Sequence, residues 1–408
     1  MTSVNTSAPT PQKNHTHQGR ATIRTLQLGT SWFPEKPEGV ARVFYDIASY
    51  AAGADIETRG LVTGSERAAL ETAGRVHAFA PADLSLPRRI YRLRRAFRKI
   101  LHDTSADLIA SHFALYTFPL LDLIGSRPLV VHFHGPWALE SKVEGSSALS
   151  VAGKRFLERS VYRRATQFIV LSQAFKNVLH ENYGIPEDRI HIVPGGINSV
   201  SYETGLSRQE ARAKLGWPQD RPILLSVRRL VRRQGLENLV SAVAALKPRY
   251  PAILLYIAGQ GTLRPELEAQ IAQAGLQDNV KLLGFVPDEV LATTYRGADM
   301  SIVPTVALEG FGLITIESLA VGTPVLVTPV GGLPEAVRGL SQDLVMSGST
   351  VVDLVEGIGS ALSGTRVLPD SHTCQRYVLE QFDHSRIMEK TRAVYDLALK
   401  GHAAAKHA

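Results

Sequence analysis

Short apolar runs alternate with segments of helical period along almost the whole of this 408-residue chain, and no other feature limits its fold so strongly. Runs of strand length fall at residues 22–29, 57–63, 107–111, 128–133, 167–171 and 190–193. After a break near residues 195–205 the pattern restarts at 223–227, continues through 256–258 and 280–286, and reaches another apolar run from Ile302. Strands separated by helices imply parallel sheets covered on both faces, and ligands then collect beyond the carboxyl ends of the strands. At roughly 100–200 residues per domain, two such series imply two domains, each with its own core.

Composition removes several classes. One cysteine, Cys374, cannot close an internal disulfide, which fits a reducing compartment. No stretch of about 18 uncharged apolar residues is present to span a bilayer. Residues 1–21 are polar without an apolar centre and read as a flexible tail, not a signal peptide, with His15 and His17 solvated rather than metal-binding. Residues 1–200 carry 24 basic and 17 acidic side chains and residues 201–408 carry 21 of each, so the whole +7 excess lies in the first half. No nucleic-acid-binding module accompanies that charge, so no nucleic acid is expected as a partner.

The densest chemistry lies between Ile302 and Glu335. A buried-type run leads into Glu309-Gly310-Phe311-Gly312-Leu313, and Leu313, Ile316, Leu319 and Ala320 then repeat at helical spacing. A strand, a glycine-bracketed turn and a helix start place unpaired amides and partial positive charge where a phosphate can approach the main chain. Glu309 before the helix and Glu317 on it can accept hydrogen bonds from sugar or ribose hydroxyls. The structural alternative is an acid at a helix N-terminus and a second acid on a solvated face.

Glu309, seven intervening residues and Glu317, followed by Gly322-Thr323-Pro324-Val325 and Gly331-Gly332-Leu333-Pro334-Glu335, resemble the donor-site motif of retaining glycosyltransferases of family 4 (glycosyl transferases group 1). The resemblance covers nearly everything after residue 22. It implies an α/β protein of the GT-B fold, two Rossmann-like domains whose parallel sheets face a central cleft. The tail would be 1–21, the acceptor-side domain 22–200, the nucleotide-sugar domain 201–384, and a helix over 385–400 would cross back to the first domain. It also implies that Glu309 approaches the transferred sugar, that Glu317 holds the ribose, and that Gly310, Phe311, Gly312, Leu313 and Ile314 supply loop contacts to sugar and diphosphate.

In the first half, the 30–39 loop leads into a helix with Val40, Val43, Phe44 and Ile47 on one side. The family usually has paired glycines there; here Glu38-Gly39 leaves Gly39 as the site candidate and makes a phosphate role for position 38 unfavourable. Val130-Val131-His132-Phe133-His134-Gly135 runs a strand into a turn, with one histidine structural and the other at the rim, or both simply hydrogen-bonded. His134-Gly135 matches the family's strand-end histidine, which implies sugar binding and transition-state support rather than general-base work. Over 87–101, Ile90, Leu93, Phe97 and Leu101 form one helical stripe and Arg88, Arg92, Arg95 and Lys99 another. Such a helix either packs with a solvated basic face or lies on anionic lipid, and Lys154, Arg155, Arg159, Arg163 and Arg164 extend the patch.

In the second half, Arg228, Arg229, Arg232 and Arg233 crowd one strand-to-helix loop, offering fork-shaped donors to a diphosphate. The family's Arg matches Arg229, but Gln234 stands where its Lys is expected, so Arg233 is the expected replacement. Gly259-Gln260-Gly261 is followed by Arg264 where a dinucleotide fingerprint needs its third glycine, which argues against NAD. The resemblance places Gly259 and Gly261 beside the nucleotide and Phe285 and Val286 beside its base.

The resemblance implies a metal-independent, retaining hexosyltransferase-type enzyme without a cofactor, His134, Glu309 and Arg229 being its catalytic candidates. It would move sugar from a nucleotide-diphosphate donor to a saccharide or lipid-linked acceptor in polysaccharide, glycolipid or cell-envelope glycan synthesis. Its place would be the cytoplasm, including the cytoplasmic face of the membrane. The alternatives are a sugar-nucleotide hydrolase or epimerase on the same fold, or a nonenzymatic membrane-docked partner.

Overall fold

The computed structural model describes residues 20–36 and 38–407; residues 1–19, with His15 and His17, lie outside the described residues. Among the described residues, twelve strands form two wholly parallel sheets. The first holds β1 (Ile23–Ser31), β2 (Ile56–Thr63), β3 (Val76–Ala80), β4 (Leu108–Ser111), β5 (Leu129–Phe133), β6 (Gln167–Val170) and β7 (Ile190–Ile192), in the order β3-β2-β1-β4-β5-β6-β7. The second holds β8 (Ile223–Val227), β9 (Leu254–Ala258), β10 (Val280–Gly284), β11 (Met300–Val303) and β12 (Val325–Val327), in the order β10-β9-β8-β11-β12. Their apolar runs are nearly continuous because helices cover both faces; every residue of β4, β5 and β9 is buried. β3 lies outside the runs marked in the sequence, and Phe285 and Val286 fall just past β10 rather than within it.

Strand order reverses between β1 and β4 in one sheet and between β8 and β11 in the other. Loops leaving these four strands diverge, opening a crevice at each sheet's carboxyl edge, where ligands bind in folds of this kind. Trp32, His112, Arg228 and Thr305 all follow those strands.

The last helix, His384–His407, extends beyond the expected 385–400 and packs on the first sheet. Ile387, Met388, Val394, Tyr395 and Ala398 join Ile23, Leu108, Val130 and Ile169 in one core. Arg392, buried, donates to the carbonyls of Ala54 at 2.9 Å, Asp55 at 2.8 Å and Ala21 at 2.7 Å. The lobes also meet at the helix Gln173–Tyr183, whose first amides, on Gln173 and Ala174, donate to the two carboxylate oxygens of Glu335 at 2.7 and 3.1 Å. Phe175 lies against Gly310 beside it, where even a Cβ would come within 2.7 Å of the ring.

Candidate active site

Arg228, at the end of β8, turns inward with its side chain 7% exposed and donates through Nη2 to Thr305 Oγ1 and Glu309 Oε2. Thr305 lies 3.4 Å from the same carboxylate oxygen. Burial pushes the Glu309 carboxyl up, but the charge and hydrogen bond of Arg228, with Arg233 and Thr305, outweigh it and hold the group below the usual carboxylate range. Glu309 is therefore an anion held by one oxygen, and Oε1 accepts no hydrogen bond from the described residues.

Arg229, expected at the diphosphate, is exposed, and its neighbour Arg228 occupies the buried place beside Glu309. Arg233 is buried and clips the 306–308 loop twice. Its carbonyl accepts from Val306 N–H at 3.0 Å and its Nη1 donates to Leu308 O at 2.9 Å. Leu308 has φ 53°, a left-handed backbone that costs a branched side chain about 1–3 kcal/mol and persists only where neighbours fix it. Across the cleft Arg233 faces Glu140 at 3.8 Å and Glu144 at 3.7 Å. Burial raises the Glu140 carboxyl, with Arg233 and Arg229 opposing. Gln234, where a Lys was expected, is buried with Oε1 3.5 Å from Thr305 Oγ1.

Glu317 lies on the helix Leu313–Ala320 and accepts from Tyr295 Oη at 3.1 Å. Burial raises its carboxyl against the opposing charge of Arg42, which reaches over from the helix Gly39–Tyr50 and pairs with Asp46 at 3.2 Å and Asp288 at 4.0 Å. Glu309 thus pairs with an arginine of its own lobe, whereas Glu317 bonds Tyr295 of its own lobe and feels the charge of Arg42 from the opposite one. The first turn of the 313–320 helix leaves the amides of Leu313 and Ile314 without helical partners.

Several expected contacts have a different origin. A Cβ at Gly259 would lie 1.8 Å from Arg228 O, and one at Gly261 2.2 Å from Leu230 O, so both glycines are needed for the arginine loop to pass whether or not a nucleotide binds. Phe311 is buried against Phe382 with ring centroids 5.4 Å apart, so its side chain belongs to the core and only its backbone is left for a donor. Gly312, at φ +76°, caps the 313–320 helix. Phe285 is 53% exposed and Val286 half-buried at the end of β10, while Gly39 is exposed at the start of its helix.

On the first lobe, His134 follows β5 directly, half-buried. Its ring stacks with His112, which follows β4, at 5.2 Å, and His112 stacks with His132 at 4.4 Å. His132 is the structural histidine of the pair and His134 the one at the rim, with His112 between them. Burial lowers His134 to about 4, so it is neutral at pH 7. The imidazoles border a cavity of about 80 Å³ lined also by Phe113, Trp137, Glu140 and Glu158. Burial raises Glu158 to about 7; its carboxyl accepts from Tyr183 Oη at 2.8 Å.

The basic segment forms the helix Leu86–Asp103, with Leu93 and Phe97 buried and Arg88, Arg92, Arg95 and Lys99 exposed. Of the cations expected to extend that patch, Lys154 bonds Ser141 at 2.6 Å, Arg155 the carbonyl of Asn182 at 3.1 Å and Arg164 that of Arg127 at 2.9 Å, so these three turn onto their own chain. No helix among the described residues is long and apolar enough to cross a membrane.

Residues 37–200 match the family model Glycosyltransferase Family 4, and residues 207–378 match Glycosyl transferases group 1. The chain belongs to this glycosyltransferase family. This family member is 31% identical over 239 residues to an uncharacterized glycosyltransferase of Methanocaldococcus jannaschii, 57% of this chain and 60% of that one. It is 34% identical over 212 residues to the D-inositol 3-phosphate glycosyltransferase of Nocardia farcinica, covering 50% and 47%. These matches span about half to three fifths of the length of those relatives. The crystal structure of Anabaena HepE in complex with UDP aligns over 92% of this chain and 100% of that one, with a TM-score of 0.74 at 20% identity. That likeness fixes the GT-B fold for this glycosyltransferase family member.

Proposed function

We propose that the protein transfers a sugar from a nucleotide-diphosphate sugar to a saccharide or lipid-linked acceptor, with residues 22–200 on the acceptor side and residues 201–384 on the donor side. The observation that carries this reading is the anionic Glu309, gripped through one oxygen by Arg228 and Thr305 at the β8–β11 crevice. Its other oxygen suits a neutral sugar hydroxyl. Arg229, Arg233 and the amides of Leu313 and Ile314 meet the departing diphosphate, so the leaving group is stabilised by fixed charge and main-chain donors without a metal ion or cofactor. Arg233 is available because its two carboxylate contacts, at 3.8 and 3.7 Å, are longer than those a diphosphate would make. Retention of configuration follows from attack on the face the diphosphate leaves, its oxygen taking the acceptor proton while neutral His134 supports the sugar. The nucleotide borders Gly259 and Gly261, the base lies near Phe285 and Val286, and Glu317 holds the ribose. Anabaena HepE, whose structure contains UDP, makes a uridine donor the first to try.

Thermal shift against UDP-, GDP- and ADP-sugars tests this. A ligand that binds only the folded state raises the melting temperature, by about 2.7 kcal/mol of added stability at 100 times Kd. One nucleotide class is expected to stabilise the protein, with Arg233→Met needing at least tenfold more of it. No shift with any of the three, or an unchanged requirement in the variant, contradicts the donor site. Free sugar released without an acceptor identifies a hydrolase instead.

We further propose peripheral docking on anionic membrane at the cytoplasmic face through Arg88, Arg92, Arg95 and Lys99, beside Tyr91, which is 68% exposed. Each basic residue near such a surface contributes about 1 kcal/mol. Reversing Arg92 and Arg95 to Glu is expected to abolish sedimentation with phosphatidylserine vesicles; retention of the double variant on them rules the patch out.

A further inference from the structure

The hydrogen bonds behind His134 have a direction that can be followed from one end. The carbonyl of Glu57 can only accept. Thr25 Oγ1 donates to it at 3.2 Å and so presents a lone pair to Gln27, whose Nε2 donates back at 3.0 Å. This orients the carboxamide: Oε1 faces His112 Nε2 at 2.9 Å, which must then carry a proton. The other Gln27 N–H goes to Tyr395 Oη at 3.1 Å, which also lies 2.8 Å from His132 Nε2. His112, 3% exposed and stacked between two further imidazoles, stays neutral, so its Nδ1 holds a lone pair. His134 Nε2, 3.0 Å from that lone pair, must be an N–H. The remaining lone pair of a neutral His134 is therefore on Nδ1, which receives no hydrogen bond from the described residues.

We infer that Thr25, Gln27, His112 and Tyr395 are positioning residues: they fix His134 as the Nε2–H tautomer, so that Nδ1 meets a substrate hydroxyl as an acceptor. The tautomer stands on the hydrogen bonds and on the neutrality of His112 and His134, and the hydroxyl rests on the proposed glycosyl transfer. Tyr395 sits on the last helix, so the far end of the chain helps set the state of a histidine at the cleft. Gln27 and Tyr395 are both fully buried, so water does not compete for either partner. An isolated neutral imidazole exchanges between tautomers readily; tying Nε2–H to a chain that ends on a peptide carbonyl removes that freedom before any substrate arrives.

The test uses the full chain with 15N-labelled histidine, since long-range proton–nitrogen correlation separates the two tautomers without substrate. The expected spectrum shows His134 protonated at Nε2 and bare at Nδ1. Gln27→Leu, which removes the acceptor for His112, is expected to give mixed tautomers at His134. It should lower kcat about tenfold, one buried hydrogen bond's worth, with donor KM within twofold. Should Gln27→Leu fail to fold, Thr25→Val removes only the hydroxyl that orients the carboxamide and is expected to shift the same resonances and the same kcat. A wild-type His134 protonated at Nδ1 overturns the relay. A displaced tautomer with unchanged kcat overturns its link to substrate. The assigned tautomer in a protein that moves no sugar supports the relay and counts against the proposed function instead.

Discussion

Glu309→Gln is expected to lower kcat for sugar transfer by about 10²–10³-fold, the loss typical of removing one fixed polar group from a reacting centre. Glutamine keeps the shape but removes the charge that Arg228 and Thr305 hold in place, and it leaves the buried Arg228 guanidinium without its counter-charge. Single-turnover measurement with saturating donor separates this from weaker binding. A variant within twofold of the wild type would show that the carboxylate takes no part in the chemistry, whatever its place in the cleft.

Arg228→Met tests the same pair from the other side, through stability. Breaking a buried ion pair by removing one partner costs about 3–5 kcal/mol, because the remaining charge is left without compensation. The pH dependence carries a sign. In the wild type the Glu309 carboxyl is held below its ordinary value, so its contribution is fully present above the usual carboxylate range and is lost as pH falls through the lowered value. Without Arg228, burial dominates, the carboxyl rises above its unfolded value, and stability is kept in acid and lost as pH increases. The gap between wild type and variant, measured by denaturant unfolding, is therefore expected to be small near pH 4 and to widen toward pH 7.5. A gap that stays constant across that range means that the ion pair is not its cause.

Which of these groups were readable in the sequence follows from how locally each is determined. Most strands of the two sheets, the 313–320 helix and the placing of Glu309, Glu317 and His134 rest on contiguous patterns, so they could be located in the sequence; β12 (Val325–Val327), only three residues long, was not. The edge strand β3 was not marked, because Val-His-Ala-Phe-Ala is short and mixed in polarity. The pairing of Arg228 with Glu309 was not legible, since which of two adjacent arginines turns inward depends on Thr305, 77 residues away. Phe311 sits between glycines in the manner of a ligand-facing residue, yet Phe382, from a distant helix, draws it into the core. His112 did leave a signal: it follows the strand ending at Ser111 just as His134 follows the one ending at Phe133, and one rule for strand-end histidines finds both. Its partners Gln27 and Tyr395 left none, since only folding brings them within reach.

Glu335 sits on the amides of Gln173 and Ala174 at the seam between the lobes. A joint of this sort is worth only about 1–3 kcal/mol net, because solvent can take over every bond in it once the halves part. Lobes that part at this joint shut again in the same register, since a carboxylate meeting two neighbouring amides fits in one way. These exchangeable bonds set the register, while the last helix, seated in the apolar core of the first sheet, keeps the lobes tied.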